Sequence, residues 1–170
     1  MNADLKKRLN ERLAGLKLLS LDTDGVLTDG GMYYTDAGDE LRKFNVKDGM
    51  GMRMMRGAGV EVVIITASAS PAIAHRGNWL GLEHVYLETR DKFAALVELC
   101  DKLGIDLDQV AHVGDDVNDI PVMEAVGCPI SVNDAMPAAK AAAIYVTQKN
   151  GGQGAVREVC EMILAAKGEG

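Results

Sequence analysis

The chain has 170 residues, of which 48% are hydrophobic and 25% charged, and its formal net charge is −7. That length and apolar content suit one domain with one core and exclude a disordered or fibrous chain. An acidic surface repels nucleic acid and anionic lipid, so no nucleic-acid or membrane partner is expected, and a small anionic ligand would need a local cluster of Lys and Arg.

Residues 1–16 read as a charged helix without the apolar centre of a signal peptide. Residues 16–21 (LKLLSL) read as a buried strand that stops at Asp22. Residues 30–44 (GGMYYTDAGDELRKF) read as two short strands around a turn at residues 36–39, a β-hairpin inserted after the first strand. Met32, Tyr33, Tyr34, Leu41 and Phe44 make that ribbon too apolar to stand alone in water. A helix is expected over 50–58, then a β-branched strand over 60–66 (VEVVIIT) and a helix over 70–80. A short strand over 85–87 precedes a helix over 92–103, and a strand over 110–113 (VAHV) ends at Gly114-Asp115. Helices over 119–126 and 135–142 flank a strand over 128–132. A strand over 144–146 and a helix over 153–166 complete the series.

Strands alternating with helices predict an α/β fold, a parallel sheet covered by helices on both faces. A single domain spans 1–170, with the hairpin at about 30–45 and a C-terminal tail at about 150–170. No apolar run reaches the length of a membrane span. Cys100, Cys128 and Cys160 are odd in number and widely spaced, with no zinc pattern. They read as free thiols in a reducing compartment, which places the protein in the cytoplasm. Parallel sheets bind ligands beyond the carboxyl ends of their strands. The polar residues gather there: Asp22 and Asp24, Thr66 and Ser68, Asp115 and Asp116.

The strongest motif is Asp22-Thr23-Asp24-Gly25-Val26 directly after the first strand. Two carboxylates at i and i+2 can both reach a small site if the chain bends, and Gly25 makes the bend cheap. A carboxylate that attacks phosphorus needs the charge repulsion between them cancelled, which Mg²⁺ held by carboxylates does. The second Asp can protonate the leaving oxygen and later activate water. A bare D-x-D is as easily a solvated turn; following an apolar strand, it is not. Asp115, in Gly114-Asp115-Asp116-Val117-Asn118-Asp119, can reach the same ion from an adjacent strand, with Asp119 supporting it from behind or capping the next helix. Lys92, opening a helix, can neutralise phosphate and nucleophile together. The Thr66 hydroxyl can donate to a phosphate oxygen.

In this order, D-x-D-G-x-L, strand-end Thr, Lys and G-D-D-x-x-D resemble the haloacid dehalogenase superfamily. Three blocks resemble its branch of 3-deoxy-D-manno-octulosonate 8-phosphate (KDO 8-phosphate) phosphatases: residues 18–30, residues 44–49 (FNVKDG) and residues 151–160 (GGQGAVREVC). The resemblance implies a three-layer Rossmann-like domain without a cap and a phosphomonoesterase working through an aspartyl-phosphate. Asp22 would be the nucleophile, Asp24 the acid/base, and Thr66 and Lys92 the phosphate holders. Asp22, the backbone carbonyl of Asp24, and Asp115 would hold Mg²⁺. Asn45, Val46, Lys47, Asp48, Gly49, Arg53, Ser68 and Arg76 correspond to substrate-contacting positions. The same branch implies a role in lipopolysaccharide biosynthesis and a homotetramer assembled through the hairpins, with the tail from Gly151 to Arg157 a lid reaching toward a neighbouring site.

The branch typically carries Thr-Gly-Arg after the second strand, whereas this chain has Thr66-Ala67-Ser68. The missing arginine keeps open a second substrate, with the chain a phosphatase for nonulosonate (sialic-acid-type) 9-phosphates. A separate alternative is a non-catalytic tetramerisation module, of the kind that resembling domains form when attached to sugar-nucleotide synthetases; against it, every catalytic position is filled here and no synthetase is attached.

Overall fold

The computed structural model describes residues 3–169, with side chains from residue 7 onward; Met1, Asn2 and Gly170, which fall in the expected first helix and C-terminal tail, lie outside the described residues. Helix α1 (Ala3–Ala14) leads into β1 (Leu18–Leu21), and β2 (Tyr33–Tyr34) and β3 (Glu40–Leu41) form the hairpin. There follow α2 (Val46–Gly57), β4 (Glu61–Ile65), α3 (Pro71–Leu80), β5 (His84–Tyr86), α4 (Lys92–Leu103) and β6 (Val110–Gly114). A 3₁₀ turn at Val117–Asp119 opens α5 (Ile120–Met123), and β7 (Cys128–Ser131), α6 (Pro137–Ala142), β8 (Tyr145–Val146) and α7 (Ala155–Lys167) close the chain.

Among the described residues, six strands form one sheet in the order β5-β4-β1-β6-β7-β8, every pairing parallel, and β2 and β3 form a separate antiparallel ribbon. The expected fold class stands, with no cap domain among the described residues. Both faces of the sheet are buried, as the period-two geometry of a strand requires of an apolar run. Leu19, Leu21, Val62, Ile64, Ala111 and Val113 face a core shared with α1, α2 and α7. Leu18, Val63, Ile65 and Val110 face a second core under α4 and α5, with Leu96, Leu99 and Val122. Ser20 and His112 are in phase with this second face and are both fully buried. That phase sets a polar pair within the apolar layer directly behind the ends of β1 and β6.

Several boundaries differ from the sequence reading. Helix α2 begins at Val46, not 50, with the Asn45 side chain accepting from the Lys47 N–H at 2.9 Å. Gly49 and Gly51 lower its local helix propensity but are needed for packing: a Cβ on Gly49 would strike the Arg76 guanidinium, and one on Gly51 would press on Cys160 and Arg157 of α7. The helix expected over 119–126 is a 3₁₀ turn and a short α5, and Gly127 beyond it lies so close to Asp108 that a Cβ would meet that residue's carbonyl. Within the chain, Gly151 and Gly152 are buried, and α7 lays Val156, Val159, Ile163 and Leu164 into the first core. Its apolar stripe, at helical spacing, has no other place to go.

Because Ile64 is fully buried on the interior strand β4, Ile64→Ala is expected to lower the unfolding free energy by about 2–5 kcal/mol. Urea denaturation followed by circular dichroism measures this, and an unchanged midpoint would contradict the core assignment.

Candidate active site at the carboxyl edge of the sheet

Asp22 leaves β1 with its N–H still bonded to the Val113 carbonyl at 3.1 Å, so the ladder to β6 fixes its backbone. Its carboxylate meets the Lys92 ammonium at 2.9 Å. Lys92 is the first residue of α4, 2% exposed, and also pairs with Asp119 at 2.7 Å. The Asp91 side chain caps α4 by accepting from the Ala94 N–H at 2.9 Å. Glu88, in the left-handed region at φ 53°, turns the preceding loop so that its N–H reaches the Ser68 carbonyl, while the Thr89 N–H reaches Thr66. A non-glycine residue there is strained by about 1 kcal/mol or more, and the strain is held where it aligns Thr66, Ser68 and Lys92.

Asp119 organises the other wall. It is fully buried; one oxygen faces Lys92 and the Nε2 of His112 (3.2 Å), and the other accepts from the backbone N–H of Asp115 (3.0 Å) and Asp116 (3.4 Å). Nδ1 of His112 lies 3.0 Å from the Ser20 hydroxyl. Burial opposes the charge on Asp119, but the hydrogen bond and charge of His112, and then Lys92, hold its carboxyl well below the ordinary carboxylate range. Burial likewise works against the Lys92 ammonium, but Asp22 and Asp119 overcome it and keep its pKa above the ordinary value.

Asp22, Asp115 and Asp119 each bring an oxygen within 4.8 Å of the others. Asp22 is pushed up by burial and by Asp119, with Lys92 opposing. Asp115 is pushed up to about 7 by burial and by Asp22, Asp119 and Asp116. Carboxylates crowded until they resist ionising, in an all-oxygen donor set, fit a hard divalent cation. Asp22 and Asp115 are the free-facing donors, since both oxygens of Asp119 are occupied behind them. The Asp24 carboxylate is not in this group: it turns to Arg42, 3.1 Å away. Gly25 (φ 84°) is confined twice over, by its left-handed turn and because a Cβ would collide with the Asp115 carboxylate.

These groups surround a cavity of about 260 Å³ lined by Asp22, Asp24, Thr66, Ala67, Ser68, Asp115, Asp116 and Asn118. The Thr66 hydroxyl accepts from the Ser68 N–H at 3.2 Å, leaving its proton free to donate into the cavity. Lys92 lies just beneath, against Asp22. Asp22, Asp24, Thr66, Lys92, Ser68 and Asp115 are thus brought together as expected.

The block from Asn45 to Gly49 is not at this cavity in the chain. Asn45 caps α2 and donates to the Gly152 carbonyl at 3.1 Å, while Val46 and Lys47 are exposed. Asp48, 1% exposed, accepts from the Arg157 N–H at 2.8 Å. It caps α7 from across the fold, because α7's own leading residue, Gly154, has no side chain to do so. Gly49 packs beneath Arg76. Arg53 stacks on Trp79 at 4.2 Å, and Arg76 lies 5.0 Å from the same ring and 5.9 Å from Phe44. Arg76 lines a separate groove of about 510 Å³ with Arg42, Phe44, His75 and Trp79.

Two residues escaped the sequence reading. His112 was legible only as a polar break in the run VAHV. Arg42 gave no signal at all, yet it supplies what position 68 lacks: its Nη2 donates to the Ser68 hydroxyl at 2.8 Å, so a guanidinium stands beside this loop, carried in on the hairpin.

Comparison with known proteins matches residues 72–159 to the model of the haloacid dehalogenase-like hydrolases. The 3-deoxy-D-manno-octulosonate 8-phosphate phosphatase KdsC of Escherichia coli (strain K12) is 46% identical over 154 residues, covering 91% of this chain and 82% of that protein. The crystal structure of the same phosphatase from Yersinia pestis superposes with a TM-score of 0.93 at 42% identity, covering 95% of this chain and 88% of that one. The Moraxella catarrhalis phosphatase, in complex with a magnesium ion, a phosphate ion and KDO, does so with a TM-score of 0.93 at 38% identity, covering 95% and 93%.

The raised pKa of Asp115 has a consequence for metal-free protein. Between about pH 4 and pH 7 the folded state keeps a proton that the unfolded chain releases, so stability falls as pH rises through that window. In EDTA at pH 8, Asp115→Asn is expected to be more stable than wild type by on the order of 1 kcal/mol after solvent screening, with no gain at pH 4. Millimolar Mg²⁺ should raise the wild-type melting temperature more than the variant's. Equal metal-free melting curves at pH 8 would contradict the crowding.

Proposed function

This chain belongs to the haloacid dehalogenase-like hydrolases, and from that premise we propose that it is a Mg²⁺-dependent phosphatase of 3-deoxy-D-manno-octulosonate 8-phosphate, working through an aspartyl-phosphate on Asp22. The observation that carries the reading is the meeting of Asp22 and Asp115 in one cavity with Lys92 beneath and Thr66 beside them.

In this reading, Asp22 and Asp115, with the Asp24 carbonyl, would hold Mg²⁺, which supplies charge neutralisation between the nucleophile and the phosphoryl oxygens. Lys92 keeps Asp22 aimed and its charge compensated, and Thr66 donates to a phosphoryl oxygen. An oxygen of Asp22 forms the new bond to phosphorus as the bond to the sugar oxygen breaks, and the Asp24 carboxyl gives that oxygen its proton. The ionised Asp24 then takes a proton from water. The water attacks phosphorus, inorganic phosphate leaves and the Asp22 carboxylate is restored.

Ser68 in place of arginine favours one second reading, a nonulosonate 9-phosphate as substrate. We also read the protein as a cytoplasmic homotetramer. Met32, Tyr33, Tyr34 and Leu41 of the hairpin are 44–61% exposed, an apolar face that association would cover, and three buried free thiols suit a reducing compartment.

Phosphate release with Mg²⁺, measured on both sugar-acid phosphates and a panel of other sugar phosphates, should favour the eight-carbon acid. Equal rates across the panel would overturn that choice, and a preference gained for the eight-carbon acid in Ser68→Arg would favour the nine-carbon reading for the wild type. Asp22→Asn should lower turnover by at least about 10²-fold, and Asp24→Asn nearly as much; a wild-type rate in Asp22→Asn would refute the nucleophile. In analytical ultracentrifugation the chain should sediment as a tetramer and Tyr34→Asp/Leu41→Asp as a smaller species.

A further inference from the structure

Arg42 enters the site from the end of β3 with its side chain only 3% exposed. Its Nη2 lies 2.7 Å from Glu40 and donates to the Ser68 hydroxyl at 2.8 Å; its Nη1 lies 3.1 Å from Asp24 and 3.4 Å from the Met32 sulfur. Structural arginines typically meet a carboxylate edge-on through two parallel hydrogen bonds. Here the contacts with Asp24 and Glu40 are close but misaligned. Asp24 Oδ1, Glu40 Oε1 and Arg42 Nε are all buried without a hydrogen-bond partner. The aligned oxygen acceptor is a neutral hydroxyl, so the guanidinium keeps donor capacity that a purely structural bridge would have used.

The position of this cation matters as much as its bonding. Ser68 lines the Asp22 cavity, and Arg42 lines the neighbouring groove with Phe44, His75, Arg76 and Trp79. Arg42 therefore stands at the boundary between the place where phosphorus must sit and the space into which a leaving group of more than a few atoms must extend. The four aspartates of the cavity repel an anionic leaving group, so accepting one requires a fixed positive charge on its path.

We propose that Arg42 is a specificity-determining residue: its guanidinium, seated on Ser68, takes the carboxylate of an anionic leaving group as that group passes from the aspartate cavity into the Arg76 groove. This rests on the phosphatase reading and goes beyond it by assigning recognition of the leaving group's carboxylate to a residue of the inserted hairpin. The chemistry sits on the sheet, and the selection sits on the inserted hairpin. Lysine at 42 would keep the charge but lose the planar fork.

Steady-state phosphate release with Mg²⁺ tests this on KDO 8-phosphate and on p-nitrophenyl phosphate, whose leaving group has no carboxylate. Arg42→Met should lose at least about tenfold more in kcat/KM on the sugar acid than on the aryl phosphate, with the excess in KM. Arg42→Lys should recover part of that excess, and Ser68→Ala, which removes the seat, should shift the ratio the same way. Equal losses on the two substrates, or an excess confined to kcat, would overturn the proposal and leave Arg42 as a support for Asp24. If Arg42→Met does not fold, the same ratio in Arg42→Lys and Ser68→Ala decides. Wild-type turnover of the aryl phosphate alone would overturn the inference while leaving the chemistry at Asp22 standing. No Mg²⁺-dependent turnover of either would overturn the phosphatase reading itself.

Discussion

The Lys92 ammonium, wedged between Asp22 and Asp119, is the interaction on which the rest of the site depends. A lysine that is 2% exposed is tolerable only because two carboxylates meet it. Each of those carboxylates does a second thing. Asp22 turns its other oxygen to the cavity, and Asp119 gathers the backbone of Asp115 and Asp116. One buried cation thus fixes Asp22 and, through Asp119, the loop that carries Asp115. His112 and Ser20 extend this polar thread into the second core, where the phase of β1 and β6 points them at the back of Asp119.

Close approach of backbone is the second constraint. Gly25 and Gly114 each lie where a Cβ would enter a carboxylate of the site, Asp115 for one and Asp119 for the other. A loop crowded this tightly cannot relax its acidic groups apart, so their mutual repulsion is held in the fold and made available to a cation.

The strands and the chemistry at their ends were legible because apolar runs stop abruptly at Asp22, at Thr66 and at Gly114-Asp115, and a parallel sheet brings such ends to one edge. The start of α2 was not legible, since Gly49 and Gly51 argue against a helix locally and are justified only by Arg76 and α7. The cap that Asp48 provides was not legible either: the helix it caps has its first N–H groups more than a hundred residues further along, a pairing no local pattern encodes. Arg42 was missed for the same reason, its partners Asp24 and Ser68 lying on either side of it in sequence and belonging to other elements. Local patterns carried the strands and the motif aspartates; tertiary partners decided the caps and the hairpin cation.

The segment at Gly151 and Gly152 lies against the turn that follows Asp22, close enough that a Cβ on Gly151 would meet the Gly25 carbonyl, and the Gly152 N–H bonds to the Val26 carbonyl at 2.9 Å. The turn bearing Asp24 is therefore shaped by a part of the polypeptide synthesised long after it. That turn and the far end of the chain form one unit: the loop after β1 takes its final shape only with residues 151 and 152 in place, a contact closed over more than a hundred residues of sequence.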